Sequence, residues 1–92
     1  MYVILVYDIK SDEGGQKALA KTFKTCKKYL THIQNSVFEG ELSEAQLLKL
    51  KTELKAIIRD DRDSLIVFKS RNEKWLPKEM WGLQEDKTSN FL

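Results

Sequence analysis

Asp8 closes an apolar run, Tyr2-Val3-Ile4-Leu5-Val6-Tyr7. Its type and place suit chemistry, because a carboxylate at the carboxyl end of a strand stands where ligands are often held. The plainer reading is a turn aspartate that bonds backbone groups of the loop Lys10–Gly15. Asp8 has the same parity as Ile4 and Val6, so it shares their face of the strand. If that face meets a second copy of the chain, Asp8 meets its own symmetry mate near the twofold axis. Two carboxylates so placed repel unless one is protonated or a cation joins them. Magnesium satisfies both and keeps several waters. Such an ion activates a water and neutralises a phosphate oxygen during phosphodiester cleavage.

The second candidate is a ridge of lysines. Between Gly14 and Phe38 stand Lys17, Lys21, Lys24, Lys27 and Lys28, with no acidic residue. On a helix, Lys17, Lys21, Lys24 and Lys28 fall within an arc of ~60°. Lysines one turn apart present charge at intervals of about 5–6 Å. That suits the phosphates of a nucleic-acid strand, read by backbone and not by sequence. A solvated helix face is the alternative. His32 could serve as acid, base or phosphate contact, or be structural. Cys26 reads as packing. Trp75 and Trp81 could stack on bases or pack a tail.

Other chemistries are excluded by the inventory. The chain has one Cys and one His, so it cannot build a Cys/His zinc site alone. No nucleophile elbow accompanies His32, and Gly14-Gly15 is neither a P-loop nor a dinucleotide fingerprint. What remains is carboxylates, lysines and hydroxyls, a set suited to hard metal ions and phosphates. The net charge of +2 is small, so one basic element points to a local anionic partner. No run approaches the ~20 apolar residues of a membrane span. Met1-Tyr2-Val3-Ile4 enters the first strand with no basic leader, which predicts no signal peptide. A single cysteine fits a reducing compartment. The expectation is a cytoplasmic protein with no membrane partner.

At 92 residues the chain makes one small domain, 1–92, with a marginal core. Residues 2–9 read as a central strand, apolar on both faces. One face awaits helices, and the other awaits a second copy. Gln16 to about Leu30 reads as a helix whose apolar side is Leu19, Phe23, Cys26 and Leu30. Thr31–Glu39 reads as one strand, bent or ended by Gly40. Ser43 and Gln46 form a capping box, with Leu42 and Leu47 as its hydrophobic staple. A second helix runs from there to about Ile58. Asp60–Asp63 is a charged turn, and Ser64–Ser70 is a third strand. Arg71–Pro77 is a connector, and Met80–Leu83 reads as a short strand. The order predicts an α+β, ferredoxin-like sandwich: two helices on one face of an antiparallel or mixed sheet, with an extended tail. The bare sheet face predicts a homodimer.

Val6-Tyr7-Asp8-Ile9, the basic first helix, Ile33-Gln34-Asn35-Ser36-Val37-Phe38-Glu39-Gly40 and Asp63-Ser64-Leu65-Ile66-Val67-Phe68 together resemble the CRISPR-associated protein 2 family over residues 1–70. The resemblance implies a ferredoxin-like homodimer of CRISPR spacer acquisition that bridges two dimers of the CRISPR-associated integrase beneath incoming DNA. It implies metal-dependent cleavage of single-stranded RNA or double-stranded DNA, with Asp8 as the magnesium ligand. It places Ser36 and Phe38 near the active-site cleft, and residues 73–92 as an extension packing on the partner subunit. Where many members carry arginines, this chain has Gln16, Lys17, Lys21 and His32. Lysine keeps the charge but loses bidentate phosphate recognition. A non-catalytic adaptor dimer is the rival reading. A sheet module for RNA ranks behind both, since its aromatic signature string is missing.

Overall fold

Seven residues of alternating, mostly β-branched or aromatic type build the central strand, β1 (Tyr2–Asp8). The computed structural model describes residues 1–82. After β1 come α1 (Gly15–Tyr29), β2 (Thr31–Gln34), β3 (Val37–Glu41), α2 (Glu44–Lys55) and β4 (Ser64–Ser70). A 3-10 turn follows at Glu73–Trp75. The sheet order is β2-β3-β1-β4 and every pair is antiparallel. This is the expected α+β sandwich of ferredoxin-like connectivity.

Period-two alternation divides β1 between two environments. Val3, Leu5 and Tyr7 are buried against the helix layer, where Phe38, Leu50 and Leu54 complete the core. Ile4 and Val6 are half-buried and Asp8 is exposed. Ile4 lies opposite Phe68, and Val6 opposite Ile66 and Val37, so all share the face that neither α1 nor α2 covers. Ile66 and Phe68 stay 54% and 49% exposed there.

The segment expected as one strand, Thr31–Glu39, is a hairpin. Asn35 takes φ 39° between β2 and β3, a left-handed conformation that Asn tolerates better than most residues. Gly40 neither bends nor ends β3 but pairs with Val3 inside it. A Cβ there would lie 3.1 Å from Leu30 Cδ2, so the glycine leaves room for Leu30. The extra strand completes the ferredoxin-like order.

Of the expected apolar side of α1, Cys26 and Leu30 lie in the core and Phe23 packs against it, whereas Leu19 does not. Ala18, Thr22, Thr25 and Cys26 face the sheet, while Leu19 is 44% exposed. Small side chains on this line let the helix lie close to the sheet. α2 carries the expected capping box: Gln46 N donates to Ser43 Oγ at 3.1 Å and Ser43 N to Gln46 Oε1 at 2.9 Å. It ends at Lys55, and the amides of Ile57 and Ile58 close on the Leu54 carbonyl. Met80–Gly82 form no strand, and Leu83 onward lies outside the described residues. Among the described residues, no helix is long and apolar enough to cross a membrane.

Thr22 Oγ1 is fully buried and has no hydrogen-bond partner among the described residues. An unmet buried hydroxyl costs roughly 1–3 kcal/mol, and valine keeps the branched shape without it. Thr22→Val should therefore stabilise the protein by about 1 kcal/mol, which raises Tm by about 4–8 °C in a domain of this size. A lower Tm would mean that the hydroxyl has a partner.

Candidate functional site

The last residue of β1 projects onto the open face. Asp8 pairs across the ladder with Ser64 and is exposed. Beyond it lies a shallow polar depression, walled by Ile9–Ser11 on one side and Asp60–Ser64 on the other. Among the described residues, no three His, Cys, Asp or Glu side chains converge to hold a metal. Of the carboxylates lining the depression, Asp60, Asp61 and Asp63 are paired with Lys55, Arg62 and Arg59, and Asp8 makes no ion pair with a described residue. Hydrated magnesium is commonly held by one or two carboxylates, so Asp8 fits the chemistry of such an ion.

The two loops beside Asp8 are tied together. Asp63 accepts the Arg59 guanidinium through both oxygens, at 2.9 Å each, and the amides of Arg59 and Lys10 at 2.8 and 3.0 Å. The Arg59 guanidinium, aided by these amides and opposed by burial, holds the Asp63 carboxyl far below the usual carboxylate range. Arg59 also donates to Asp12, and this bond lowers the Asp12 carboxyl in turn. A Cβ on Gly15 would collide with the Lys10 carbonyl, so only glycine lets the chain turn this sharply into α1. None of this is visible as a motif. The one local signal is the four-residue spacing of Arg59 and Asp63.

The other expected site residues are dispersed. Lys17, Lys21 and Lys24 are exposed and make no ion pair with a described residue. Lys28 differs, since it donates to Glu53, which also accepts the Tyr29 hydroxyl. The ridge was expected to lack acidic partners, and at Lys28 the fold supplies one from α2. α1 covers the inner face of the sheet, so its lysines and Asp8 lie on opposite outer surfaces of the molecule. His32 is held on the helix side, its ring centroid 4.9 Å from both Phe23 and Phe38. Its Nε2 is 2.9 Å from the Asn35 carbonyl. Phe38, expected near a cleft, is wholly buried in the core. The Ser36 carbonyl accepts the Tyr7 amide at 3.1 Å and steadies β1 one residue before Asp8. Trp81 is 87% exposed.

A family model described as CRISPR associated protein Cas2 matches residues 1–77. The chain belongs to the Cas2 family. It is 64% identical over 92 residues to a CRISPR-associated endoribonuclease Cas2 of Fusobacterium nucleatum, covering all of this chain and 87% of that one. It is 42% identical over 91 residues to a Cas2 endoribonuclease of Moorella thermoacetica, covering 98% of this chain and all of the other. Among solved structures, Streptococcus pyogenes Cas2 superposes with a TM-score of 0.74 at 29% identity, covering 87% and 99% of the two chains. The Cas2 match takes in every strand and both helices.

Asp63 yields a pH test. Its native pKa is depressed, so its stabilising contribution is present above the unfolded value of about 3.9 and is lost as pH falls below it. Asp63→Asn should lower Tm at neutral pH, and the gap to the wild type should narrow progressively as pH falls below about 4 toward the lowered folded-state value. A gap that is the same at pH 3 and pH 7 contradicts the ionic role of Asp63.

Proposed function

We propose that the protein is a dimeric, magnesium-dependent endonuclease of CRISPR adaptation. The observation that carries this reading is the exposed Asp8 carboxylate at the edge of an apolar face, formed by Ile4, Val6, Ile66 and Phe68, that neither helix covers among the described residues. Exposed apolar side chains clustered on one sheet face favour burial against a like surface. A twofold pairing through that face brings the two Asp8 carboxylates together. Magnesium, when bound there, supplies a water of lowered pKa and neutralises charge on the phosphate. Asp8 of each copy holds the ion, while Lys17, Lys21 and Lys24 attract the phosphate backbone of RNA or DNA. The endoribonuclease names of the relatives support the activity. Residues 1–92 act as one domain, with 73–92 reaching the partner subunit. Within the described part, Lys78 donates to Glu39 of its own chain, beside the Tyr2 hydroxyl.

A second reading has its own observation. Asp8 and the free lysines occupy opposite surfaces of the molecule, which suits a dimer that holds DNA without cutting it. In that reading the protein bridges the integrase dimers and Asp8 is incidental. Spacer acquisition by Asp8→Ala separates the two: acquisition that survives the loss of cleavage makes the adaptor role the relevant one.

Asp8→Ala should remove magnesium-dependent cleavage of RNA and duplex DNA while leaving the fold intact. Phe68→Glu should give a monomer by light scattering and lose cleavage with it. Wild-type cleavage by either variant contradicts the shared-carboxylate reading. Salt tests the ridge separately. Alanine at Lys17, Lys21 or Lys24 should each reduce the log-log salt slope of binding by about one. Lys28→Ala should change it less, because Glu53 already holds that lysine. Equal slopes for all the variants and the wild type would leave the ridge a solvated face.

A further inference from the structure

Arg59 joins two separate pieces of chain, its own turn through Asp63 and the loop that holds Lys10 and Asp12. Its Nε and one Nη grip the two oxygens of Asp63. The same Nη donates to the Lys10 carbonyl at 3.1 Å, and the other donates to Asp12. The Asp63 side chain is fully shielded from solvent, and it also accepts the Lys10 amide. Asp12 passes the restraint on, accepting the Gly14 amide at 3.2 Å and Arg62 at 3.2 Å. Lys10 is two residues beyond Asp8, and Ser64, next to Asp63, is the ladder partner of Asp8. The loop itself is polar, and Lys10, Ser11, Glu13 and Gly14 are exposed. Little apolar packing is available to hold it, so the polar network does.

We propose that Arg59 is a positioning residue for Asp8: by locking Lys10 and Asp12 to Asp63, it fixes the strand end from which Asp8 meets a divalent cation. The inference rests on the magnesium-dependent reading of Asp8 given above. A planar guanidinium has the donors to hold two carboxylates and a carbonyl at once, whereas an ammonium concentrates its donors at one point. Loss of a partner that orients a metal ligand typically costs roughly 10–100-fold in affinity or activity. Small misplacement of a reacting group has a similar effect on turnover.

The test uses the full chain with Arg59→Gln and Arg59→Lys, and magnesium chloride as the probe. Three quantities are read: amide exchange at Lys10, the magnesium-dependent shift of the Asp8 amide resonance, and kcat against KM for cleavage. Arg59→Gln should lose protection at Lys10, weaken magnesium binding by about tenfold or more, and lower kcat with KM little changed. Arg59→Lys should fall between it and the wild type. If Arg59→Gln does not fold, Arg59→Lys decides alone. A folded variant with wild-type magnesium binding and kcat overturns the proposal, whatever happens to its stability. Asp8→Ala is run alongside. If it cleaves normally, the nuclease reading falls, yet the magnesium titration of the Arg59 variants still decides the positioning role. A wild type whose Asp8 resonance does not respond to magnesium overturns both.

Discussion

Among the described residues, the structure depends on a four-stranded sheet that carries both α1 and α2 on one side. Alternation along β1 sends Val3, Leu5 and Tyr7 into the core and leaves Ile4, Val6 and Asp8 on the bare side. The antiparallel register then adds Ile66 and Phe68 to the same patch. A small domain buries a modest share of its surface, so apolar side chains left outside matter to its stability. On the reading proposed above, a second copy covers them, completes the packing and places two carboxylates at one edge, so that stability and chemistry draw on the same face.

The opposite layer has a different task. α1 sits close to the sheet on Ala18, Thr22 and Cys26, which turns its lysines outward. Cys26 lies in the core, where burial pushes its thiol up to about 12, so it is inert at neutral pH. Lys17, Lys21 and Lys24 make no ion pair with a described residue and lie remote from Asp8. On the reading proposed above, phosphate binding and bond cleavage fall on separate surfaces of this chain. Between the layers, the Arg59 network fixes the loops at the strand end, where apolar packing is sparse.

Much of this was legible in the residues. The apolar, β-branched runs within 2–9 and 64–70 mark two strands, and Ser43 with Gln46 marks the start of α2. The face of Asp8 follows from parity alone. The hairpin at Asn35-Ser36 was not legible, because the turn lacks glycine and its strands are short. The packing side of α1 is legible in Phe23, Cys26 and Leu30, but Leu19 is exposed because small residues, Ala18 and Thr22, take its place in the buried face. The pairings Arg59–Asp12 and Lys28–Glu53 join residues 47 and 25 apart, and no local pattern announces them. Phe38 and His32 were read as site residues from a motif string, but tertiary packing puts them on the helix side.

The central claim is that a divalent ion is shared by Asp8 of two chains across the bare face. Calorimetric titration with magnesium or manganese measures this directly as a stoichiometry. The account predicts one Asp8-dependent ion for every two chains, absent in Asp8→Ala. One ion per chain, or binding that survives Asp8→Ala, would contradict it.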